Sequence, residues 1–352
     1  MQKPQLLCFY VHRSSFVARD IEMLAPYYNI QEFDFAVRKK WHLPMMFMKQ
    51  LLFLIKHKHS AYASFTIIGG YVSFLPSLFD RFFGLRSIIV LGGTDCTRFP
   101  AISYGNFSRK ILGFFTCLSL RWSSQHVPVY RSLVSSEYTY DPIGAPNQGF
   151  QHFCRGVKAR VTEVWNGFAS DDWPMFEGSR PEKHFITVIA GLNSFRTYML
   201  KGIDLVVEMA MKFPEATFTI VGTAERPAWI PKELRNIQFY AKTDRKGLVD
   251  LLNQHRFYLQ LSLSEGFPNA LCEAMLCGCI PIGSNVAAIP FIIDDTGYIL
   301  KRKNVEDLVA ILQQAIEDQS MTGLEARKRI ESMFTIDQRK EALLHLIGHL
   351  VQ

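Results

Sequence analysis

Apolar runs and helical stripes alternate along this chain, most regularly after residue 180. The segments FITVIAGL (185–192), TFTIVG (217–222), IQFYA (237–241), YLQLSLS (258–264), CIPIG (279–283) and GYIL (297–300) read as strands. Helical spacing fills the gaps at 203–213, 245–255, 269–277 and 305–317. Strands apolar on both faces and separated by helices imply a parallel sheet covered on both sides. The first half repeats the pattern less cleanly, with PQLLCFYV (4–11), SFTIIGG (64–70) and SIIVLGG (87–93) as its clearest strands. Between the halves, VTEVWNGFASDDWPMFEGSRPEKH (161–184) joins a strand end to Asn-Gly, Asp-Asp, two prolines and a charge cluster. That composition marks a linker.

The expected fold is therefore α/β, with two Rossmann-like doubly wound parallel-sheet domains facing a central cleft. The first covers residues 1–168 and the second 169–330. Residues 331–352 form a last helix that can cross back to the first domain. Ligands of open parallel sheets sit outside the carboxyl ends of the strands, so the loops there are where chemistry is sought.

Length and composition agree: 352 residues, 48% hydrophobic and 20% charged, is material for two cores. The net charge of +7 suits an anionic partner: a nucleotide diphosphate, an anionic membrane or nucleic acid. Seven cysteines match no zinc spacing and form no expected disulfide framework; most lie in apolar runs and are expected as small core residues in a reducing compartment. No apolar stretch is long enough to span a bilayer, and the amino terminus is not expected to be a signal peptide. Residues 41–59, WHLPMMFMKQLLFLIKHKH, come closest, and read either as an amphipathic surface helix or as a partly buried helix with a basic end.

The chemistry concentrates in LSLSEGFPNALCEAMLCGCIPIGSN (261–285). Glu265 ends a strand, Gly266-Phe267-Pro268 break it, and a helix restarts at Asn269. The amides of Phe267, Asn269, Ala270 and Leu271 are then released at a helix N-terminus, which attracts phosphate and hydroxyl oxygens. Glu273 lies about one turn inside, where a carboxylate can accept from paired ribose hydroxyls. The bland reading, a capping Glu265 and a surface Glu273, conflicts with the cost of a carboxylate on an otherwise buried helix. Upstream, Arg196 and Lys201 on the loop after FITVIAGL can clamp a diphosphate, one by its fork and the other as a point charge.

EGFPNALCEAM resembles the signature of retaining glycosyltransferase family 4, of the GT-B fold. Glu265, Gly266, Phe267, Glu273, Ala274, Met275, Gly278 and Pro281 match its pattern, and Arg196 and Lys201 match its Arg-x4-Lys-Gly diphosphate pair. The resemblance covers 161 to about 318 well and the first half in outline. It implies an acceptor-side first domain and a nucleotide-sugar-binding second one. The implied donor contacts are Gly93, Gly266, Phe267, Pro268, Asn269, Ala270, Leu271 and Glu273. Asp95, Arg196, Lys201 and Glu265 carry the reaction, Asp95 being the polar residue that reaches the reacting sugar from the first domain. A turn-forming Asp after Gly92-Gly93 is the alternative for Asp95; His12, Arg13 and His126 are weaker candidates.

The resemblance also implies front-face displacement with retention, from a nucleotide diphosphate sugar co-substrate to a glycan or lipid-linked acceptor. No cofactor and no metal are expected, since no Asp-x-Asp occurs. Nucleic acid is not an expected partner. The expected place is cytoplasmic, with peripheral contact to the anionic inner membrane face and a role in surface polysaccharide assembly. The chain departs from the pattern at Phe195, at Ala287-Ala288 and Phe291, and in the glycine-free loop His12-Arg13-Ser14-Ser15-Phe16. Absence of Gly-x-Gly-x-x-Gly after the first strand excludes a dinucleotide oxidoreductase. A non-catalytic sugar-nucleotide binder and a nucleotide-sugar epimerase of the same fold remain alternatives.

Overall fold

The computed structural model describes residues 3–37 and 39–349. The chain divides into two compact units that are discontinuous in sequence. The first runs to Glu137, takes Ala145–Trp165 and resumes at Asp337; the second holds Tyr138–Gly144 and Asn166–Ile336.

The first unit is a sheet of six parallel strands: β1 (Gln5–Tyr10), β2 (Asn29–Asp34), β3 (Ala61–Ile67), β4 (Ser87–Leu91), β5 (Gln125–Pro128) and β6 (Arg160–Val161). Their spatial order is β2-β1-β3-β4-β5-β6. Helix α1 (Ser15–Leu24) follows β1, α2 (Leu43–His57) follows β2, α3 (Tyr71–Phe83) follows β3 and α4 (Lys110–Trp122) follows β4. Right-handed crossovers put α2, α3 and α4 on one face and α1, which runs the opposite way, on the other. Every residue of β4 is buried, as a central parallel strand requires. Leu7, Phe9, Phe35, Leu54 and Phe79 pack together beneath α2 and α3.

On the α1 face, the helix Ile336–His349 is anchored by a buried fork: Arg339 donates from Nε and Nη2 to the two carboxylate oxygens of Asp20, both at 2.7 Å. Arg339 also donates to the carbonyls of Val164 and Trp165. One expectation is corrected here. Cys117 and Cys154 form a disulfide, so two of the seven cysteines are not reduced core residues. The bond joins α4 to a short helix 37 positions later, and no spacing rule in the sequence exposes such a contact. Cys8, Cys96, Cys272, Cys277 and Cys279 are free and buried.

The second unit repeats the design with β7 (His184–Val188), β8 (Thr217–Val221), β9 (Ile237–Tyr240), β10 (Phe257–Gln260), β11 (Ile280–Ser284) and β12 (Tyr298–Leu300). All are parallel, in the order β9-β8-β7-β10-β11-β12. The rings of Phe218, Phe185 and Phe257 stack along its centre. Strand β10 stops at Gln260, short of the predicted Ser264, because the Leu263 amide donates to the Leu200 carbonyl instead of a neighbouring strand. The segment Tyr138–Gly144 is tied down through Lys303, whose ammonium lies 2.5 Å from Asp204 and 3.6 Å from Asp141.

Two histidines are buried in neutral form. His255 bridges the Leu251 carbonyl and the Thr219 hydroxyl, and burial lowers its pKa to about 4. His126 beside Ser123 is lowered to about 4 for the same reason. The unfolded chain takes up these protons near pH 6.5 and the folded chain only near 4, so stability is present above 6.5 and lost as pH falls through that window. Each site contributes about 1.4 kcal/mol per pH unit across it. Urea midpoints compared at pH 7 and pH 4.5 should fall steeply in the native chain and less in His255→Gln. Equal pH slopes in the two would remove His255 as a source of acid lability.

Candidate active site

The carboxyl edge of the second sheet carries the predicted chemistry. After β7, Ser194 caps a six-residue helix, Phe195–Leu200, by accepting from the Thr197 amide at 3.2 Å. Arg196 and Lys201 therefore do not lie on an open loop as expected: Arg196 is in the first turn of this helix and Lys201 is its C-cap. Gly202 then takes the left-handed conformation, φ +67°, against the Leu261 carbonyl, where any Cβ would collide. That approach brings the end of the short helix onto the chain leaving β10.

The result is a direct contact between two predicted residues. Lys201 Nζ lies 2.6 Å from Glu265 Oε1 in a sheltered ion pair, the side chains 26% and 13% exposed. The same oxygen accepts from Gln260 Nε2 at 3.1 Å, and Gln260 also donates to Ser262. Tyr138 fixes the intervening backbone by donating to the Leu263 carbonyl at 2.9 Å. Neither Gln260 nor Tyr138 is among the residues expected from the sequence. Gln260, Ser262 and Ser264 form a polar alternation at the end of an apolar strand, and that signal could have flagged Gln260.

Gly266, Phe267 and Pro268 are buried and lead into the helix Asn269–Leu276, with Pro268 as N-cap. The Phe267 ring packs on Phe334 at 5.2 Å, so its side chain belongs to the core and only its backbone faces the turn. Asn166 holds this turn, donating to the Asn269 side chain at 2.9 Å and to the Phe267 carbonyl at 3.4 Å. Ala270 is half-buried and Leu271 fully buried, leaving their amides as their polar groups in the first turn. Glu273 is half-buried on the same helix. Burial pushes the Tyr258 hydroxyl well up, and the charges of Glu265 and then Glu273 push it further. Arg196 is exposed. Ala287 adopts φ +48°, a left-handed conformation that costs an alanine about 1–2 kcal/mol. It stands where the resembled pattern carries glycine.

In the first unit the structure treats Asp95 differently from the expectation. The side chain is fully buried, and its carboxylate accepts from the amides of Gly69 at 2.8 Å, Gly93 at 2.9 Å and Gly92 at 3.2 Å. Burial raises its pKa while these amides oppose the rise. Asp95 closes the Gly-Gly turn rather than opening to solvent, and the Gly93 amide is spent on it. Thr94 and Arg98 are exposed on either side. Arg13 pairs with Glu32 at 3.1 Å, and His126 is buried within β5.

Comparison with known proteins agrees with this architecture. A family model described as glycosyl transferases group 1 matches residues 179–332. One subunit of the human phosphatidylinositol N-acetylglucosaminyltransferase is 27% identical over 143 residues, 38% of this chain and 30% of that protein. The O-antigen chain mannosyltransferase B of Escherichia coli is 25% identical over 179 residues, 47% of this chain and 41% of its own length. The chain thus spans less than half the length of these curated relatives. Whole-chain likeness appears in solved structures. Sucrose-phosphate synthase from Thermosynechococcus elongatus gives a TM-score of 0.75 at 13% identity, covering 99% of both chains. Anabaena HepE, solved in complex with UDP and glucose, gives 0.68 at 13% identity, covering 99% of this chain and 100% of that one. The fold is that of the GT-B glycosyltransferases, and the match to the glycosyl transferases group 1 model lies within the second unit, over residues 179–332.

Proposed function

We propose that this protein is a retaining, metal-independent hexosyltransferase that moves a sugar from a nucleotide diphosphate sugar to a glycan or lipid-linked acceptor in surface polysaccharide assembly. The carrying observation is the Lys201–Glu265 pair at the carboxyl edge of the second sheet, beside the N-terminus of the helix Asn269–Leu276. The names of the relatives support the substrate class: one acts on phosphatidylinositol, another on O-antigen chains, and HepE was solved with UDP and glucose. In this reading the enzyme works as a cytoplasmic protein at the inner membrane face, with no cofactor.

The reaction breaks the bond between the anomeric carbon and the diphosphate oxygen and joins that carbon to the acceptor oxygen on the same face. The acceptor's proton passes to the departing diphosphate, so no enzyme nucleophile is needed. Negative charge grows on the diphosphate as its bond breaks. Lys201, held in place by Glu265, meets that charge, with Arg196 and the first-turn amides of the helix as further donors. Glu265, also fixed by Gln260, holds the transferred sugar, and Glu273 accepts from the ribose hydroxyls. Asp95 is left out of this mechanism, because its carboxylate is already spent.

Glu273→Gln should weaken binding of the parent nucleotide diphosphate by about 1–3 kcal/mol, the scale of a hydrogen bond to a charged group. Isothermal calorimetry checks this, and an unchanged affinity removes Glu273 from the donor site. Lys201 is expected to matter more in the transition state than in the ground state. Lys201→Ala should therefore lower kcat by about 10²–10³-fold with a smaller change in donor KM. Lys201→Arg should recover only part of the loss, because a planar fork cannot replace a compact ammonium at a fixed point. Steady-state kinetics on the donor identified by thermal-shift screening decide it. Full kcat in the alanine variant sinks the mechanism, and turnover without acceptor points to an epimerase.

A further inference from the structure

The outer face of the first unit is unlike the rest of the molecule. Trp41, on the 3-10 turn just before α2, and Met45, Met48, Leu52 and Ile55 on α2 stand at alternating spacings of four and three, which is one stripe of a helix. Their exposures are 72%, 47%, 57%, 60% and 49%. The opposite stripe, Met46, Gln50 and Leu54, is the buried one. Rings from α2, α3 and α4 interlock beneath this surface, Phe47 with Phe74 at 6.1 Å and Phe74 with Phe115 at 4.8 Å. At the carboxyl ends of α2 and α3 the stripe continues into exposed Phe82 and Phe83, with Lys58 Nζ 5.0 Å from the Phe83 ring. Neither α2 nor α4 contains an acidic residue, and Lys49, Lys56, Arg81 and Lys110 are exposed among the apolar groups.

Beyond Phe82, whose ring lies 6.0 Å from that of Trp122, the amino edge of the sheet opens into a cavity of about 440 Å³. Arg86, Arg121, Lys158 and Arg160 line it with Ser123, Ser124 and His349. Arg121 is oriented by donating to the Arg155 carbonyl at 2.9 Å. The carboxylate beside Arg86, Asp80, is occupied by the amides of Ser124 at 2.7 Å and Ser87 at 2.9 Å. Glu163 and Glu341 line the adjoining cavity that shares Arg160 and His349, and Glu163 accepts from the Trp165 indole.

We propose that this face docks on an anionic phospholipid bilayer: the α2 stripe with Phe82 and Phe83 enters the interface, and the Arg86–Arg121–Lys158–Arg160 cavity takes one phosphate-bearing lipid headgroup. The charge decides the occupant. An apolar surface whose nearby carboxylate, Asp80, is engaged by backbone amides, and which runs into a cavity lined by four cations, complements a surface combining hydrocarbon with phosphate, and no second copy of this basic face supplies that complement. Among the described residues no helix is long and apolar enough to cross a membrane, so the contact is with one leaflet surface. The docking does not depend on the transferase reading, since none of these residues belongs to the donor site.

Flotation of the full chain with vesicles tests it. Binding to phosphatidylcholine vesicles containing phosphatidylglycerol should exceed binding to pure phosphatidylcholine and should fall as salt rises. Met48→Glu with Leu52→Glu should abolish flotation on both vesicle types while leaving the circular dichroism melt unchanged. Lys158→Ala with Arg160→Ala should cost about ten- to thirtyfold of the phosphatidylglycerol preference, the scale of two cations at a charged surface. Wild-type chain that ignores phosphatidylglycerol vesicles at low salt overturns the proposal. So does a dimer that Met48→Glu with Leu52→Glu converts to monomer, or inorganic phosphate that stabilises the chain without any vesicle binding.

Discussion

The ion pair between Lys201 and Glu265 is the interaction on which the second unit's carboxyl edge depends. Both groups are largely withdrawn from water, so neither can lose the other without leaving a poorly solvated charge. Their meeting needs the Phe195–Leu200 helix to end against the strand exit, which needs a residue without a Cβ at 202. It also needs the Leu263 amide to leave the sheet and bond to Leu200. Gln260 then completes the carboxylate's partners from inside the strand. A short helix, a left-handed glycine and an early strand end together bring this one electrostatic contact about. A cation held this way is positioned before any ligand arrives, and preorganisation of that kind is what lets a fixed charge act on a developing one.

Much of this architecture was legible because parallel strands are buried on both faces and so announce themselves as uninterrupted apolar runs. The six strands of the second sheet sit within a few residues of FITVIAGL, TFTIVG, IQFYA, YLQLSLS, CIPIG and GYIL. In the first sheet β2 was not among the clear strands, because its edge position admits half-buried Gln31 and exposed Glu32, which break the apolar run. The glutamate pair was legible through its turn and helix start. The features that escaped are those decided by tertiary contact. Lys201 and Glu265 are 64 positions apart, and no local rule joins them. Asp95 follows two glycines as either a turn residue or a displayed acid would, and only the amides of Gly69, Gly92 and Gly93 closing around it tell the two apart. The Cys117–Cys154 bond and the transfer of Tyr138–Gly144 to the second unit are of the same kind.

A parallel sheet has two unlike edges, and this chain places different groups at them. At the carboxyl edge of the second sheet stand the Lys201–Glu265 pair and the N-terminus of the helix Asn269–Leu276, where the proposed donor would bind. At the amino edge of the first sheet, where α2, α3 and α4 end before β3, β4 and β5 begin, helix C-termini carry negative partial charge and favour cations. Lys58, Arg81, Arg86 and Arg121 gather there, and the net charge of +7 is therefore not an even coating. The cations of the first unit's outer face and those of the second unit's proposed donor site share no residue. If both proposals hold, a change of lipid preference can arise on one without altering catalysis on the other, provided that the sheet cores of both units stay packed.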